Sequence, residues 1–224
     1  MADRAIVFDL DDTLYPERMY VFSGYCAVGD YLRITQQRVD PFDDWLWYRF
    51  CSGQSAGAFD ALNEEFELGL DKDEILELVQ VYRNHTPTLG PFDGIPELLD
   101  QITGSAHLAL LSDGFLPAQK LKLQALQMES SFEAVVFTEE LGREFWKPSP
   151  AGFEKIARQL DVPSANCIYV GDNPAKDFVA PNRLGWRTIQ YIREEQIHAG
   201  NPAPTGGEPQ TIVRDDRQLL DALG

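Results

Sequence analysis

Short strand-like runs alternate with helical segments along most of this chain. The runs lie at residues 5–8, 107–111, 134–137, 167–170 and 187–190, and the first of them is stopped by acidic residues. Short, mostly apolar runs are typical of strands buried on both faces of a parallel sheet. Because helical stretches separate the runs, the pattern predicts right-handed crossovers and an α/β fold with a doubly wound parallel sheet.

Helical periodicity and turn residues predict the remaining elements. Residues 117–128 and 150–160 carry apolar side chains at helical spacing. The Gly- and Pro-rich stretch 199–209 predicts an exposed loop, and residues 211–213 predict a last edge strand before a short C-terminal helix.

The first two predicted strands are separated by residues 9–106, far more than one crossover needs. Much of this stretch has helical periodicity, and Asp71 with Glu74 three residues later matches a capping box at a helix start. We therefore predict a small all-helical cap domain at residues 17–86, inserted into a catalytic core formed by residues 1–16 and 87–224.

Composition narrows the classes of partner. The 224 residues carry 19 basic and 36 acidic side chains, a net charge of −17, which argues against nucleic acid or an anionic membrane as a partner. The three cysteines suggest neither a disulfide framework nor a metal site. The first residues lack a signal-peptide pattern, and no apolar run has the length of a spanning helix. These features predict a soluble, cytoplasmic protein.

Two carboxylates follow the first strand. Asp9 and Asp11 are two residues apart, so the period of a strand can direct both toward the carboxyl edge of the sheet, where open α/β folds bind ligands. One carboxylate could stay ionised and attack, while the other, with a pKa shifted toward protonation, donates to a leaving oxygen. Turn formation or helix capping remains the alternative explanation of these residues.

Three later segments could complete such a site. Ser112, Asp113 and Gly114 follow the second strand, where a hydroxyl and consecutive backbone amides can hold phosphate oxygens. Lys147 could neutralise charge on a transferred group. Asp172 and Asp177 follow the fourth strand and offer oxygen ligands to Mg²⁺. Each segment alone is equally compatible with an ordinary turn, a helix cap or a solvated surface.

In their order along the chain, these segments together resemble the four motifs of the haloacid dehalogenase-like superfamily, and the resemblance spans nearly the whole chain. The matching residues are Asp9, Asp11 and Thr13 in the aspartate motif, Ser112, Lys147, and Asp172 with Asp177 in the acidic motif. The segment 91–99 looks like this family's return from a helical cap. Two departures are Asp113, where many relatives carry Asn, and a somewhat long segment between Gly142 and Lys147.

The resemblance implies specific roles. Asp9 would be the nucleophile, which forms an aspartyl-phosphate, and Asp11 the general acid and base. Mg²⁺ would be bound by Asp9, the backbone carbonyl of Asp11, and Asp172, with Asp177 supporting the metal or its waters. The groups that would hold the phosphoryl group are Thr13, Ser112, Asp113, Gly114 and Lys147.

The presence of Asp11 favours a Mg²⁺-dependent phosphomonoesterase over a dehalogenase, which in this family lacks an acid at that position. A phosphoglucomutase-like phosphotransferase would keep the same catalytic residues, so it stays an alternative. A catalytically silent binding protein would be expected to have lost at least one of them, and none is missing.

The substrate is predicted only as a small phosphorylated metabolite, either a nucleotide or a sugar phosphate. The opening segment 8–15 also looks like that of pyrimidine 5′-nucleotidases. Arg83 and His85 are possible substrate contacts. An aromatic cluster could stack on a nucleobase or form the core of the cap; its members are Trp45, Trp47, Tyr48 and Phe50. The sequence does not specify an oligomeric state.

Overall fold

The computed structural model describes residues 3–224 and contains a six-stranded parallel sheet. The strand order is β3-β2-β1-β4-β5-β6, with every neighbouring pair parallel. The strands are β1 (Ala5–Phe8), β2 (His107–Ser112), β3 (Ala134–Phe137), β4 (Cys167–Gly171), β5 (Arg187–Tyr191) and β6 (Thr211–Val213). The predicted doubly wound parallel sheet is confirmed, including its last edge strand.

Helices cover both faces of the sheet. The core helices are α5 (Ile95–Ile102), α6 (Ala118–Leu126), α7 (Ala151–Leu160), α8 (Val179–Arg183) and α9 (Asp216–Leu223). Alternate residues of β1 pack on opposite faces of the sheet. Ile6 and Phe8 belong to one buried cluster, and Ala5 and Val7 belong to the other. This two-sided burial explains why the strand is apolar without a break.

Four further helices lie between β1 and α5 in the chain. They are α1 (Glu17–Thr35), α2 (Phe42–Cys51), α3 (Ala58–Glu65) and α4 (Lys72–Asn84). Their buried side chains form a hydrophobic cluster of their own, which includes Val28, Phe42 and Leu62. The capping box predicted at the start of α4 is present, since Asp71 accepts from the Glu74 N–H at 3.0 Å and Glu74 accepts from the Asp71 N–H at 2.8 Å.

A glycine lets the first and last of these helices approach closely. A Cβ at Gly24 of α1 would lie 2.5 Å from ring carbons of Tyr82 on α4. Beside this contact, Nε2 of His85, the residue just after α4, is hydrogen-bonded to Oγ of Ser23 in α1 at 3.1 Å. The N-terminal half of α1 is therefore linked to the end of α4. Within residues 3–224, none of the helices has both the length and the apolarity to cross a bilayer.

Candidate active site

Asp9 and Asp172 follow two adjacent strands, β1 and β4. β1 and β4 are paired in register, so the residues that follow them emerge side by side at the carboxyl edge of the sheet. The Asp9 N–H donates to the Val170 carbonyl at 2.9 Å, which continues the ladder by one residue. Asp9 and Asp172 are both buried here, which is where the sequence pattern predicted them to meet.

Lys147 joins the carboxylates in the centre of the site. Its buried Nζ lies 2.7 Å from Oδ1 of Asp9 and 2.8 Å from Oδ1 of Asp177, and it also donates to the Tyr169 hydroxyl at 2.8 Å. Burial raises the pKa of Asp9 to about 7, although the Lys147 charge acts in the opposite direction. The long segment before Lys147 therefore does not prevent its side chain from reaching the aspartate.

Three of these groups suit a hard cation. Carboxylate oxygens of Asp9, Asp172 and Asp177 all lie within 4.8 Å of one another. Burial, followed by the negative charges of Asp177 and Asp9, raises the pKa of Asp172 well above its ordinary value. Oδ2 of Asp172 is buried without a hydrogen-bond partner in the described chain. An orphaned carboxylate oxygen beside two other carboxylates fits the oxygen donor set that Mg²⁺ requires.

Asp11 has a different environment from the one its expected acid role suggests. Oδ1 accepts from Lys122 Nζ at 2.8 Å and from the Tyr15 hydroxyl, and Oδ2 accepts from Gln119 Nε2 at 3.1 Å. Burial raises the pKa of Asp11, but the Lys122 charge and these hydrogen bonds outweigh it, so the pKa is lowered. The expectation that Asp11 is shifted toward protonation is therefore wrong for this arrangement, because α6 supplies a buried cation.

The residue after Asp11, Asp12, forms hydrogen bonds with backbone groups of two other segments. Asp12 has a φ of 53°, and its carboxylate accepts from the backbone N–H groups of Glu17 and Ile197. It therefore fixes both the start of α1 and the loop after β5.

Thr13 is fully buried, its Oγ1 has no hydrogen-bond partner within residues 3–224, and it does not line the cavity described below.

The predicted phosphate loop is in place, but its side chains are occupied. Ser112 Oγ donates to Gln119 Oε1 at 3.0 Å, so it supports the group that holds Asp11. The Asp113 carboxylate accepts from the Thr138 hydroxyl at 2.7 Å and from the Lys147 backbone N–H at 3.0 Å. The Asp113 carboxylate therefore anchors the lysine segment, while Asp113 also lines the cavity described below; its predicted phosphate contact stays a prediction.

A cavity of about 530 Å³ joins these elements. Of the predicted site residues, Ser112 and Asp177 are buried and do not line it. Those that line it are Asp9, Asp11, Asp113, Gly114, Lys147 and Asp172. The helical insertion contributes lining residues that close the opposite side: Glu17, Tyr20, Val79, Tyr82 and Arg83.

Several lining residues were not found from the sequence, namely Glu17, Gln119, Lys122, Lys176 and His198. Gln119 and Lys122 are three residues apart on α6, and this spacing places both on the face toward Asp11. Lys176 lies between Asp172 and Asp177 of the acidic motif, and this position could have identified it as a site residue from the sequence. His198 comes from the loop after β5 and lies 3.6 Å from Glu17, a contact that no local pattern indicates.

The aromatic residues of α2 belong to the packing of the insertion. Trp47 stacks on Phe50 with ring centroids 5.4 Å apart, and Trp45 contacts Phe66 edge-on. Tyr48 is 76% exposed. None of the four residues of the predicted cluster lines the cavity. Trp45, Trp47 and Phe50 pack against the hydrophobic core of the insertion, which favours the alternative of a core role for these three. His85 is likewise engaged with Ser23 and not with the cavity.

Comparison with known proteins agrees with this geometry. The family model described as haloacid dehalogenase-like hydrolase matches residues 4–185. The chain belongs to this family. A glyceraldehyde 3-phosphate phosphatase from Methanopyrus kandleri is 28% identical over 231 residues, which cover 98% of this chain and 97% of that protein. The pyrimidine 5′-nucleotidase of Escherichia coli is 27% identical over 116 residues, 51% of each chain.

Solved structures of the haloacid dehalogenase-like family share the fold. A HAD-hydrolase from Bacillus subtilis, solved bound to magnesium, superimposes with a TM-score of 0.70 at 20% identity, and the alignment covers 100% of both chains. The predicted family and fold class are confirmed, and the protein is an enzyme of the hydrolase class. The individual roles of the site residues stay predictions.

Proposed function

We propose that this hydrolase is a Mg²⁺-dependent phosphomonoesterase that acts through a phosphorylated aspartate. The observation that carries the proposal is the contact of Asp9 with Lys147 at 2.7 Å in a cavity that Asp11 and Asp172 also line. A nucleophile, a cation for the transferred group, a second carboxylate and a metal ligand are the parts that this reaction needs.

In the first half-reaction, a carboxylate oxygen of Asp9 attacks phosphorus, and the bond from phosphorus to the leaving oxygen breaks. Asp11 donates a proton to that oxygen, so an alcohol leaves. Lys147 stabilises the negative charge of the phosphoryl group during transfer. Because Lys122 favours ionised Asp11, the reaction requires that substrate binding return a proton to this carboxyl group.

In the second half-reaction, Asp11 takes a proton from water, whose oxygen attacks phosphorus. The bond between phosphorus and Asp9 then breaks, and inorganic phosphate leaves with the nucleophile regenerated. Asp9, Asp172 and Asp177 would hold Mg²⁺, which supplies charge neutralisation for the phosphoryl oxygens when bound. The backbone amides near Gly114, which lines the cavity, would bind those oxygens.

We propose a small sugar phosphate as substrate, ahead of a nucleotide. A relative that matches over nearly full length is named for a three-carbon sugar phosphate, whereas the nucleotidase matches half of the chain. The aromatic residues of α2, which suggested nucleobase stacking, do not line the cavity.

A panel of phosphorylated metabolites tests the proposal by release of inorganic phosphate, with Mg²⁺ and with excess chelator. We expect turnover of at least one sugar phosphate with Mg²⁺ and its loss on chelation, with recovery when Mg²⁺ is restored. Undiminished turnover after exhaustive chelation would refute the metal requirement. Transfer of the phosphoryl group to a second sugar, without release of phosphate, would instead indicate a phosphotransferase.

A further inference from the structure

The basic side chains of the cavity differ in whether a carboxylate neutralises them. Three lysines line it, and each has a carboxylate partner at 2.7 to 3.9 Å: Lys147 with Asp9, Lys122 with Asp11, and Lys176 with Asp113. The fourth basic lining residue is Arg83 of α4. In the part of the chain that the structure describes, no carboxylate lies within 4.0 Å of its guanidinium.

Arg83 is held in place without using its hydrogen-bond donors. Its Cζ lies 3.6 Å from the ring centroid of Phe115, the residue that follows Gly114 of the phosphate loop. A cation held over an aromatic face in this way keeps its N–H donors available for other partners. Within residues 3–224, the guanidinium of Arg83 donates no hydrogen bond to a protein group, so these donors remain available to a ligand in the cavity that Arg83 lines.

We propose that Arg83 binds a second anionic group, a carboxylate or a phosphate, on the leaving part of the substrate. The inference rests on the proposed phosphatase function and narrows its substrate class to phosphomonoesters that carry such a group. The planar guanidinium matches both oxyanions in a bidentate geometry.

The charges around the cavity explain why Arg83 would decide whether a second anion on the substrate is bound. Each of the three lysine–carboxylate pairs is close to neutral as a unit, so the pairs offer a second anion on the leaving group little net attraction. The whole chain carries a net charge of −17, which disfavours an additional anion unless a free cation meets it. Since the three lysines are already paired, Arg83 is the lining group that can supply that attraction. Hydrogen bonds to charged groups contribute enough for about a 10- to 100-fold effect on affinity.

Arg143 offers a matched control. Its Cζ lies 4.6 Å from the same Phe115 ring, but it bonds Glu139 at 3.4 Å and does not line the cavity. Replacing Arg143 tests the effect of a cation on this ring, and replacing Arg83 tests that effect together with anion binding.

The experiment compares esters that differ only in the second anion. The pairs are 3-phosphoglycerate with glycerol 3-phosphate, for a carboxylate, and 1,3-propanediol bisphosphate with 3-hydroxypropyl phosphate, for a phosphate. Kinetics with Mg²⁺ give kcat and KM for the wild type, Arg83→Gln, Arg83→Lys and Arg143→Gln. Calorimetry gives Kd on the Asp9→Asn protein, with and without Arg83→Gln, so that binding is measured without turnover.

We expect the wild type to prefer the doubly anionic member of at least one pair. Arg83→Gln should reduce that preference by about 10-fold or more, mainly through KM and Kd, and should change the singly anionic ester by less than about 3-fold. Arg83→Lys should keep part of the preference, and Arg143→Gln should keep all of it.

Three outcomes would overturn the inference. They are equal losses on both members of each pair in Arg83→Gln, loss of the preference in Arg143→Gln as well, or equal Kd values for the two members in calorimetry. If the wild type hydrolyses none of the four esters but calorimetry shows the Arg83-dependent preference, anion binding at Arg83 stands and the proposed hydrolysis of such esters fails.

Discussion

Replacing Asp11 by Asn removes the proposed acid while preserving the shape of the side chain. In the folded protein, Oδ1 of Asp11 accepts from Lys122, and Oδ2 accepts from Gln119 Nε2. An amide can keep its oxygen toward Lys122. The Gln119 amide can then turn to accept from the new NH₂ group, and the Ser112 hydroxyl can turn to accept from Gln119. The fold should therefore survive the change.

The magnitudes separate stability from catalysis. Asp11→Asn leaves the buried ammonium of Lys122 without its counter-charge, which costs about 3–5 kcal/mol. For a chain of this size, that loss lowers Tm by roughly 6 to 20 °C, so a thermal denaturation scan of the variant sets an assay temperature at which the enzyme is folded. Loss of general acid catalysis removes about 10²- to 10⁴-fold in rate, but only where the leaving oxygen needs a proton.

The assay is single-turnover release of the leaving group from two substrates, a sugar phosphate and an activated aryl phosphate. Single turnover is needed because Asp11 also serves the second half-reaction, which would mask the first step. We expect Asp11→Asn to slow release from the sugar phosphate about 10²-fold more than release from the aryl phosphate.

Asp12→Asn is the control, because Asp12 is a neighbouring buried acid whose oxygens accept backbone N–H groups of Glu17 and Ile197. It should affect both substrates alike, since it alters geometry and not proton donation. Equal losses for the two substrates in Asp11→Asn would refute the acid role and leave Asp11 as a structural or metal-supporting group.

Three further predictions concern the buried charges. Mg²⁺ at about 100 times its Kd should add ~2.7 kcal/mol to the free energy of unfolding, and thermal denaturation of Asp172→Asn should show no such gain if that residue is a ligand. Without Mg²⁺, the contribution of Asp9 to the free energy of unfolding should fall as pH rises from 3.8 to about 7, because burial raises the pKa of Asp9 to about 7 and folded Asp9 then binds a proton that unfolded Asp9 has lost. In urea titrations across this range, Asp9→Asn should therefore lose less stability with rising pH than the wild type, and an equal loss in the two proteins would contradict this. Lys147→Met should cost ~3–5 kcal/mol in metal-free urea unfolding at pH 7, because it leaves the buried carboxylates of Asp9 and Asp177 without their cation; a gain in stability would contradict it.

Local sequence patterns predicted the sheet and the backbone positions of the site. The run at 5–8 and the run at 167–170 are strands because they are buried on both faces, and a parallel sheet brings their ends together. Asp9 and Asp172 are close to each other because they follow these two paired strands. The capping box of Asp71 was predictable for the same reason, since its partners lie within one helical turn.

Side-chain partners from distant segments were not predictable in this way. Lys122 and Gln119 are more than a hundred positions from Asp11 in the chain, and they reach it only because α6 packs beside β1. That tertiary contact reverses the pKa expected for Asp11. Likewise, Trp47 could face a ligand or the interior of the insertion on any local criterion, and the packing of α2 against α1 decided between them.

Detection of a phosphoryl group on Asp9 tests the central claim most directly. Asp11→Asn protein mixed with an activated aryl phosphate and Mg²⁺ should accumulate the intermediate, because its hydrolysis lacks the base that activates water. Acid quench, peptide digestion and mass spectrometry should then locate the added group, with borohydride reduction of the acyl phosphate marking the residue. We predict that it is found on Asp9 and is absent when Asp9 is also replaced by Asn. A phosphoryl group on another residue, or leaving-group release with no protein adduct at any time, would contradict the account.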